Sequence, residues 1–147
     1  MAASAWEVYN EAKKYIGNGT LKLDTAKRIT LHTSASNAST KTLSIYSELT
    51  NEVSDATGYS SSGKALGTVA WTVGASAGSY KFDADDVVWT ATGGSIASIK
   101  FAVISNTSGG ASGKLLCKSK LTTSQFTLSS GNTLTLAMNA SGILTLA

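Results

Sequence analysis

The segment Tyr80–Ile104 constrains the fold more than any other part of the chain, because it concentrates apolar and aromatic residues at strand periodicity. Two β-like runs, 87–91 and 96–104, are separated by residues 92–95, which include Gly93-Gly94 and suit a hairpin connection. We predict that this segment folds as one antiparallel meander in the middle of the core. The aromatic residues predicted to build the core are Trp71, Phe82, Trp89 and Phe101.

Short alternating runs recur about every ten residues through most of the remaining chain, separated by glycine and serine turns. Proline is absent and only 14% of residues are charged, whereas 42% are hydrophobic. This pattern predicts an all-β fold, an antiparallel β-sandwich with jelly-roll-like character and one N-terminal α-helix. We expect a single domain over residues 1–147, with a helical arm at 1–19 and the β-sandwich at 20–147.

The one predicted helix covers residues 4–16. Ser4 and Glu7 fit a capping box, and Gly17-Asn18-Gly19 is typical of a helix end. Apolar residues recur on one face of this helix, which is an amphipathic pattern. The side chains predicted to contact neighbouring molecules from this segment are Trp6, Tyr9, Tyr15 and Ile16.

Catalytic and metal-binding patterns are missing from the sequence. A Ser-His-Asp triad would need His32, the single histidine, which we expect at a surface or edge of a strand. One histidine and the single cysteine, Cys117, do not make a zinc site, and we expect Cys117 to fill apolar space. Asp83, Asp85 and Asp86 lack the spacing of a calcium loop and predict a turn. We therefore predict no catalytic residue, no metal and no cofactor, and a protein that is not an enzyme.

All acidic residues precede Val87, and the second half of the chain carries only basic charges, at Lys100, Lys114, Lys118 and Lys120. These lysines are scattered along the strands, so we expect them to keep strand edges soluble, with contact to an acidic partner as the alternative. Nucleic-acid binding is disfavoured because the charges are few and unclustered. We expect no membrane span and no export signal, because neither an apolar run of sufficient length nor a leader pattern occurs.

Four segments resemble, in order, a family of small structural proteins of tailed phages. They read AxxxYNxAKKYIGNGTLKLDT at residues 5–25, NEVSxxTGYSSSGKAL at 51–66, FDADDVVWT at 82–90 and ASGILTLA at 140–147. The resemblance covers most of the chain. It departs after Ile104, where family members usually have a tyrosine and an acidic segment and this chain has Ser105 and a Gly/Ser turn.

The resemblance implies a virion component made in the host cytoplasm, most simply a decoration or cement protein of the head. Such a protein would bind the major capsid protein on the outer shell, and decoration proteins in general imply a homotrimer. Two alternatives stay open. One is a tail or neck protein, and the other is a carbohydrate-binding module at a fibre tip that uses Tyr46, Tyr59 and Trp71 for host recognition.

Overall fold

The computed structural model describes residues 4–55 and 57–147. Strands dominate, and every pairing among these strands is antiparallel. The elements are β1 Glu7–Val8, α1 Asn10–Gly17, β2 Lys27–His32, a 3-10 turn Tyr46–Glu48, β3 Lys64–Ala65, β4 Ala70–Val73, β5 Tyr80–Asp83, β6 Val87–Thr90, β7 Ile96–Ile99, β8 Phe101–Asn106, a 3-10 turn Gly110–Ser112, β9 Leu115–Lys120, β10 Phe126–Leu128, β11 Thr133–Leu136 and β12 Leu144–Leu146.

The second half of the chain is a long ribbon that pairs in nested order. Strand β8 pairs with β9, β7 with β10, β6 with β11 and β5 with β12. The predicted hairpin across Gly93-Gly94 is therefore wrong, because β6 and β7 pair with later strands and not with each other. The prediction of an all-β fold with one helix is confirmed, and the architecture is sandwich-like. The jelly-roll connectivity stays a prediction.

The largest sheet has five strands in the order β1-β9-β8-β2-β3. Its central strands are buried on both faces: every residue of β8 except Asn106 is buried, as is every residue of β9 except Lys120. Burial on both faces explains why residues 101–105 are a continuous apolar run apart from Ser105, where a half-exposed strand would alternate. Cys117 is fully buried in β9, which confirms its predicted role as apolar filler.

The N-terminal segment is tied to this sheet. The helix begins at Asn10, so the capping box predicted at Ser4 is wrong. Ser4 instead accepts the backbone N–H of Lys120 at 2.9 Å, and Glu7–Val8 add a strand to β9. Tyr9 is 0% exposed and donates its hydroxyl to Ala38 O at 2.8 Å. Backbone pairing of residues 7–8 and burial of Tyr9 thus outweigh the helical signal that begins at Ser4.

Polar residues expected at the surface lie inside. His32 is 0% exposed, and its ring contacts Thr30 Oγ1 at 2.9 Å and Thr50 O at 3.3 Å. Lys118 is 6% exposed and lies 3.4 Å from Glu7, because β9 is an interior strand between β1 and β8. The prediction of a surface histidine is wrong, and Lys118 is not an edge lysine.

Three of the four aromatic residues predicted for the core are buried, namely Phe82, Trp89 and Phe101. Trp71 is only half-buried, at the margin of the core. Residues 64–73 form two short strands, β3 and β4, which belong to different sheets. Thr68, between them, has φ +46°, and the chain bends there.

A candidate assembly surface

The three-stranded sheet, in the order β12-β5-β4, carries one entirely apolar face. Residues directly opposite each other in antiparallel strands point to the same side, and so do residues two apart on one strand. The pairing register places two rows on this face. We call them the inner row, Leu144, Phe82 and Trp71, and the outer row, Leu146, Tyr80 and Val73.

The two rows differ in how much of them the chain covers. In the inner row, Phe82 is completely buried and its two neighbours are half-buried. The outer row is exposed: Leu146 at 64%, Val73 at 64% and Tyr80 at 45%. These are three of the four large hydrophobic residues with high exposure among residues 4–55 and 57–147. A single exposed apolar side chain is ordinary, but a contiguous row continuing a buried one indicates a contact surface.

Two aromatic rings join the rows. Trp71 and Tyr80 are stacked, with their ring centroids 6.0 Å apart and their planes at 21°. This separation lies in the range preferred by offset-stacked aromatic pairs. The ring of Tyr80 is therefore packed against Trp71 on one side and remains 45% exposed.

A groove lies between this face and the N-terminal helix. One part has a volume of about 560 Å³ and is lined by Ile16, Leu23, Trp71 and Leu146, among others. An adjoining part of about 320 Å³ shares these four residues and adds Val8 and further positions on β12. The groove is therefore bordered by the C-terminal end of the helix on one side and by strands β4 and β12 on the other.

Charged residues of both signs border the groove. Lys13, Lys22 and Asp24 line it, and all three are exposed. Within the described part of the chain, none of them forms a salt bridge. The rim can therefore form ion pairs with a partner without breaking pairs that already exist.

The four interface residues predicted from the sequence occupy three different environments. Ile16 lines the groove. Tyr9 is fully buried within the chain, whereas Trp6 and Tyr15 are half-buried against the core. The Nζ of Lys114 lies 4.8 Å from the centroid of the Tyr15 ring. Contact of the four with a neighbour stays a prediction, but Tyr9 has no surface in this structure with which to make it.

A second cluster of interest is polar and surrounds Glu52. Its carboxylate accepts the hydroxyl of Tyr59 at 2.6 Å, the backbone N–H of Ser62 at 2.8 Å and the hydroxyl of Tyr46. Burial, followed by these carboxylate bonds, raises the pKa of both tyrosines. Tyr59 also accepts the backbone N–H of Leu31 at 3.0 Å. Both carboxylate oxygens of Glu52 are thus used, and Tyr59 connects the cluster to β2 through Leu31.

This cluster changes the predicted sugar platform. Tyr59 is 3% exposed, so it has no open face on which a sugar could stack. Tyr46 is half-buried, and the guanidinium of Arg28 lies over its ring, 3.9 Å from the centroid. Trp71, the third member, is separate from them and lies at the apolar groove.

Asp83, Asp85 and Asp86 each contact a different residue. Asp83 pairs with Lys81 at 2.8 Å, Asp85 accepts the hydroxyl of Thr68 at 2.6 Å, and Asp86 accepts the backbone N–H of Met138 at 2.7 Å. In residues 4–55 and 57–147, no group of three or more His, Cys, Asp or Glu side chains is arranged to hold a metal ion. The aspartates act as turn and loop anchors, as the sequence predicted.

The sequence missed the outer row. The alternating triplets Trp71-Thr72-Val73, Tyr80-Lys81-Phe82 and Leu144-Thr145-Leu146 each indicate a strand with one apolar face. Their alignment into adjacent rows depends on the register between β4, β5 and β12, which local patterns do not contain.

Comparison with known proteins yields no relative: no protein-family model, no curated protein and no solved structure matches this chain. Among the helices of the described residues, none is long and apolar enough to cross a membrane.

Proposed function

We propose that this chain is a non-enzymatic structural protein of a tailed-phage virion, a decoration or cement protein that binds the outside of the head. The observation that carries the assembly role is the exposed outer row of the three-stranded sheet, with the groove beside it. The phage context comes from the four sequence segments that resemble a family of small virion proteins.

The energetics favour a surface that is used in assembly. Burying a fully exposed valine or leucine side chain stabilises a contact by about 1.5–3 kcal/mol. The outer row offers three large apolar side chains within one cross-strand row, so a partner gains several such contributions from a small area. Elsewhere the chain covers its core well, with Ile29, Leu31 and Ile104 at 0% exposure.

The partners in this proposal are the major capsid protein and further copies of the chain itself. A protein that binds only the assembled shell stabilises that shell by mass action, in proportion to its concentration above the dissociation constant. Many weak contacts, repeated over a symmetric shell, add up to substantial stabilisation. This role needs a rigid body with an exposed contact surface and needs no active site.

The direct test is co-sedimentation of the purified protein with empty, expanded capsids assembled from the major capsid protein of the same phage. We expect saturable binding at a fixed number of copies per shell, and greater resistance of the decorated shell to heat. Absence of binding by a folded protein, at concentrations well above those found in infected cells, would contradict the proposal.

Carbohydrate binding is a second candidate because the Trp71–Tyr80 stack leaves a partly open aromatic surface. Aromatic rings present flat apolar faces with polar edges, which suits sugar rings. This candidate predicts that the isolated protein binds host surface glycans and that Trp71→Ala abolishes this binding while the variant remains folded.

A further inference from the structure

We infer that the outer row packs against the outer row of a second copy of this chain, in a two-fold symmetric dimer that uses the three-stranded sheet. The inference rests on the proposed function in one respect, the assignment of the apolar face to assembly. It names the partner of that face as the chain itself and replaces the three-fold arrangement expected from decoration proteins in general.

The shape of the apolar face and its groove favours two-fold pairing. A two-fold interface uses the same patch on both subunits, so the patch must be complementary to itself. Here an exposed row that includes Leu146 lies directly beside a groove that Leu146 also lines, with Trp71 and Ile16 across it. A rotation by 180° can place the row of one copy in the groove of the other, and the same contact then occurs twice.

The charges on the rim of the groove also favour a second copy as the partner. In a two-fold interface, the rim of each subunit must carry both positive and negative charges, because each subunit supplies the partners for the charges of the other. Lys13 and Lys22 are on this rim together with Asp24, and the described residues contain no salt bridge to any of them. A partner with a purely basic or purely acidic surface would leave at least one of these charges opposite a like charge.

The size of the surface indicates how tightly two copies bind. A standard stable interface buries about 800 Å² on each partner. The outer row provides three exposed large side chains, whereas each side of a standard interface uses about 20–30 residues, so the rim must contribute most of the contact. We therefore expect a dimer that dissociates in the micromolar range, in which case the oligomeric state depends on protein concentration.

The experiment is a measurement of molar mass by sedimentation equilibrium from low to high micromolar concentration. The chain offers a matched pair of variants, Val73→Lys and Val88→Lys. Both valines lie in four-residue strands and are exposed, at 64% and 43%, but Val88 is on β6, outside the three-stranded sheet. Leu146→Lys is a second variant of the apolar face, at a position 64% exposed. Circular dichroism and thermal melting establish that each variant is folded.

We expect the wild-type mass to rise from 15.0 kDa towards twice that value with concentration. Val73→Lys and Leu146→Lys should weaken this association at least tenfold, and Val88→Lys should leave it unchanged. A wild-type protein that remains a monomer would overturn the inference. So would a trimer, or equal effects of Val73→Lys and Val88→Lys.

Shell binding separates this inference from the proposed function. If the wild-type protein dimerises through the apolar face but does not bind capsids, the inference stands and the proposed function is refuted. A monomer that binds capsids, and loses that binding with Val73→Lys, retains the proposed function but overturns the inference, because the capsid is then the partner of the face.

Discussion

The five-stranded and three-stranded sheets use the same kinds of residue with opposite results. In the five-stranded sheet, β8 and β9 are buried on both faces, and even polar residues such as His32 and Ser105 are fully buried. In the three-stranded sheet, the outer row remains exposed although it is as apolar as the inner row. The difference teaches that the described chain has more apolar residues than its own fold covers, and that three of the four exposed large hydrophobic residues lie together in the outer row.

The largest expected contrast between the two sheets is in stability. Ile104→Ala, in the fully buried β8, should lower the free energy of unfolding by about 2–5 kcal/mol, because the lost contacts leave a cavity. Val73→Ala, in the exposed outer row, should lower it by less than about 1 kcal/mol, since little buried surface is lost. Urea denaturation of both variants measures this contrast. Equal losses would show that the outer row is covered in the monomer.

The second contrast compares two tyrosines. Tyr59→Phe removes a hydroxyl that donates to Glu52 and accepts from Leu31 N, so a buried backbone N–H and a half-buried carboxylate each lose a partner. We expect a loss of about 1–3 kcal/mol. Tyr80→Phe is the matched control: Tyr80 is 45% exposed and stacks on Trp71 through its ring, which phenylalanine retains. Its stability should be nearly that of the wild type. A neutral Tyr59→Phe would refute the role given to the Glu52 cluster.

The third prediction concerns the buried lysine of β2. Lys27 is 0% exposed, and its Nζ donates to Lys22 O at 2.6 Å and to Thr25 O at 2.7 Å. Burial lowers the pKa of Lys27 to about 8. Between about pH 8 and the unfolded value near 10.5, the unfolded chain therefore binds more protons than the folded chain, and Lys27 should make stability rise with pH.

The measurement for Lys27 is the free energy of unfolding of the wild type relative to Lys27→Met at pH 8, 9 and 10. The wild type should gain stability relative to the variant across this range. A constant difference would show that the ammonium group is as well solvated in the fold as in water, contrary to its burial.

The smallest expected effect is that of His32. Burial lowers its pKa below 6.5, against weaker opposing effects of Thr50 O and Glu52. The folded state thus keeps the ring neutral while the unfolded chain binds a proton, so stability should fall as the pH drops below about 6.5. Thermal melts of wild type and His32→Gln between pH 7 and 5 test this. The wild type should lose more stability than the variant, and parallel curves would contradict the prediction.

Local patterns predicted the elements better than their pairing. Alternation identified the β class and the buried positions of Phe82 and Trp89. The Gly93-Gly94 turn signal predicts a hairpin because it is local, whereas β6 in fact pairs with residues 133–136, which are distant in sequence. The sequence does not predict β1, because its two residues are too few to show strand periodicity and lie within the helical pattern of residues 4–16.

The assembly surface was predictable only in part. Ile16 was predicted at an interface and lines the groove, whereas Tyr9, on the same predicted helix, is an interior residue. Alternation shows that Val73, Tyr80 and Leu146 share a face with buried neighbours. It does not show which part of that face stays exposed, because burial depends on contacts between segments that are distant in sequence.

The most direct test of the central claim is hydroxyl-radical footprinting of the protein, dilute and assembled, read out residue by residue. Oxidation at Tyr80 and Leu146 should decrease on assembly, whether on shells or at dimer-forming concentration, while oxidation at Val88 remains the same. Protection of Val88 together with unchanged oxidation of Tyr80 and Leu146 would contradict the claim, because assembly would then use a surface other than the apolar face of the three-stranded sheet.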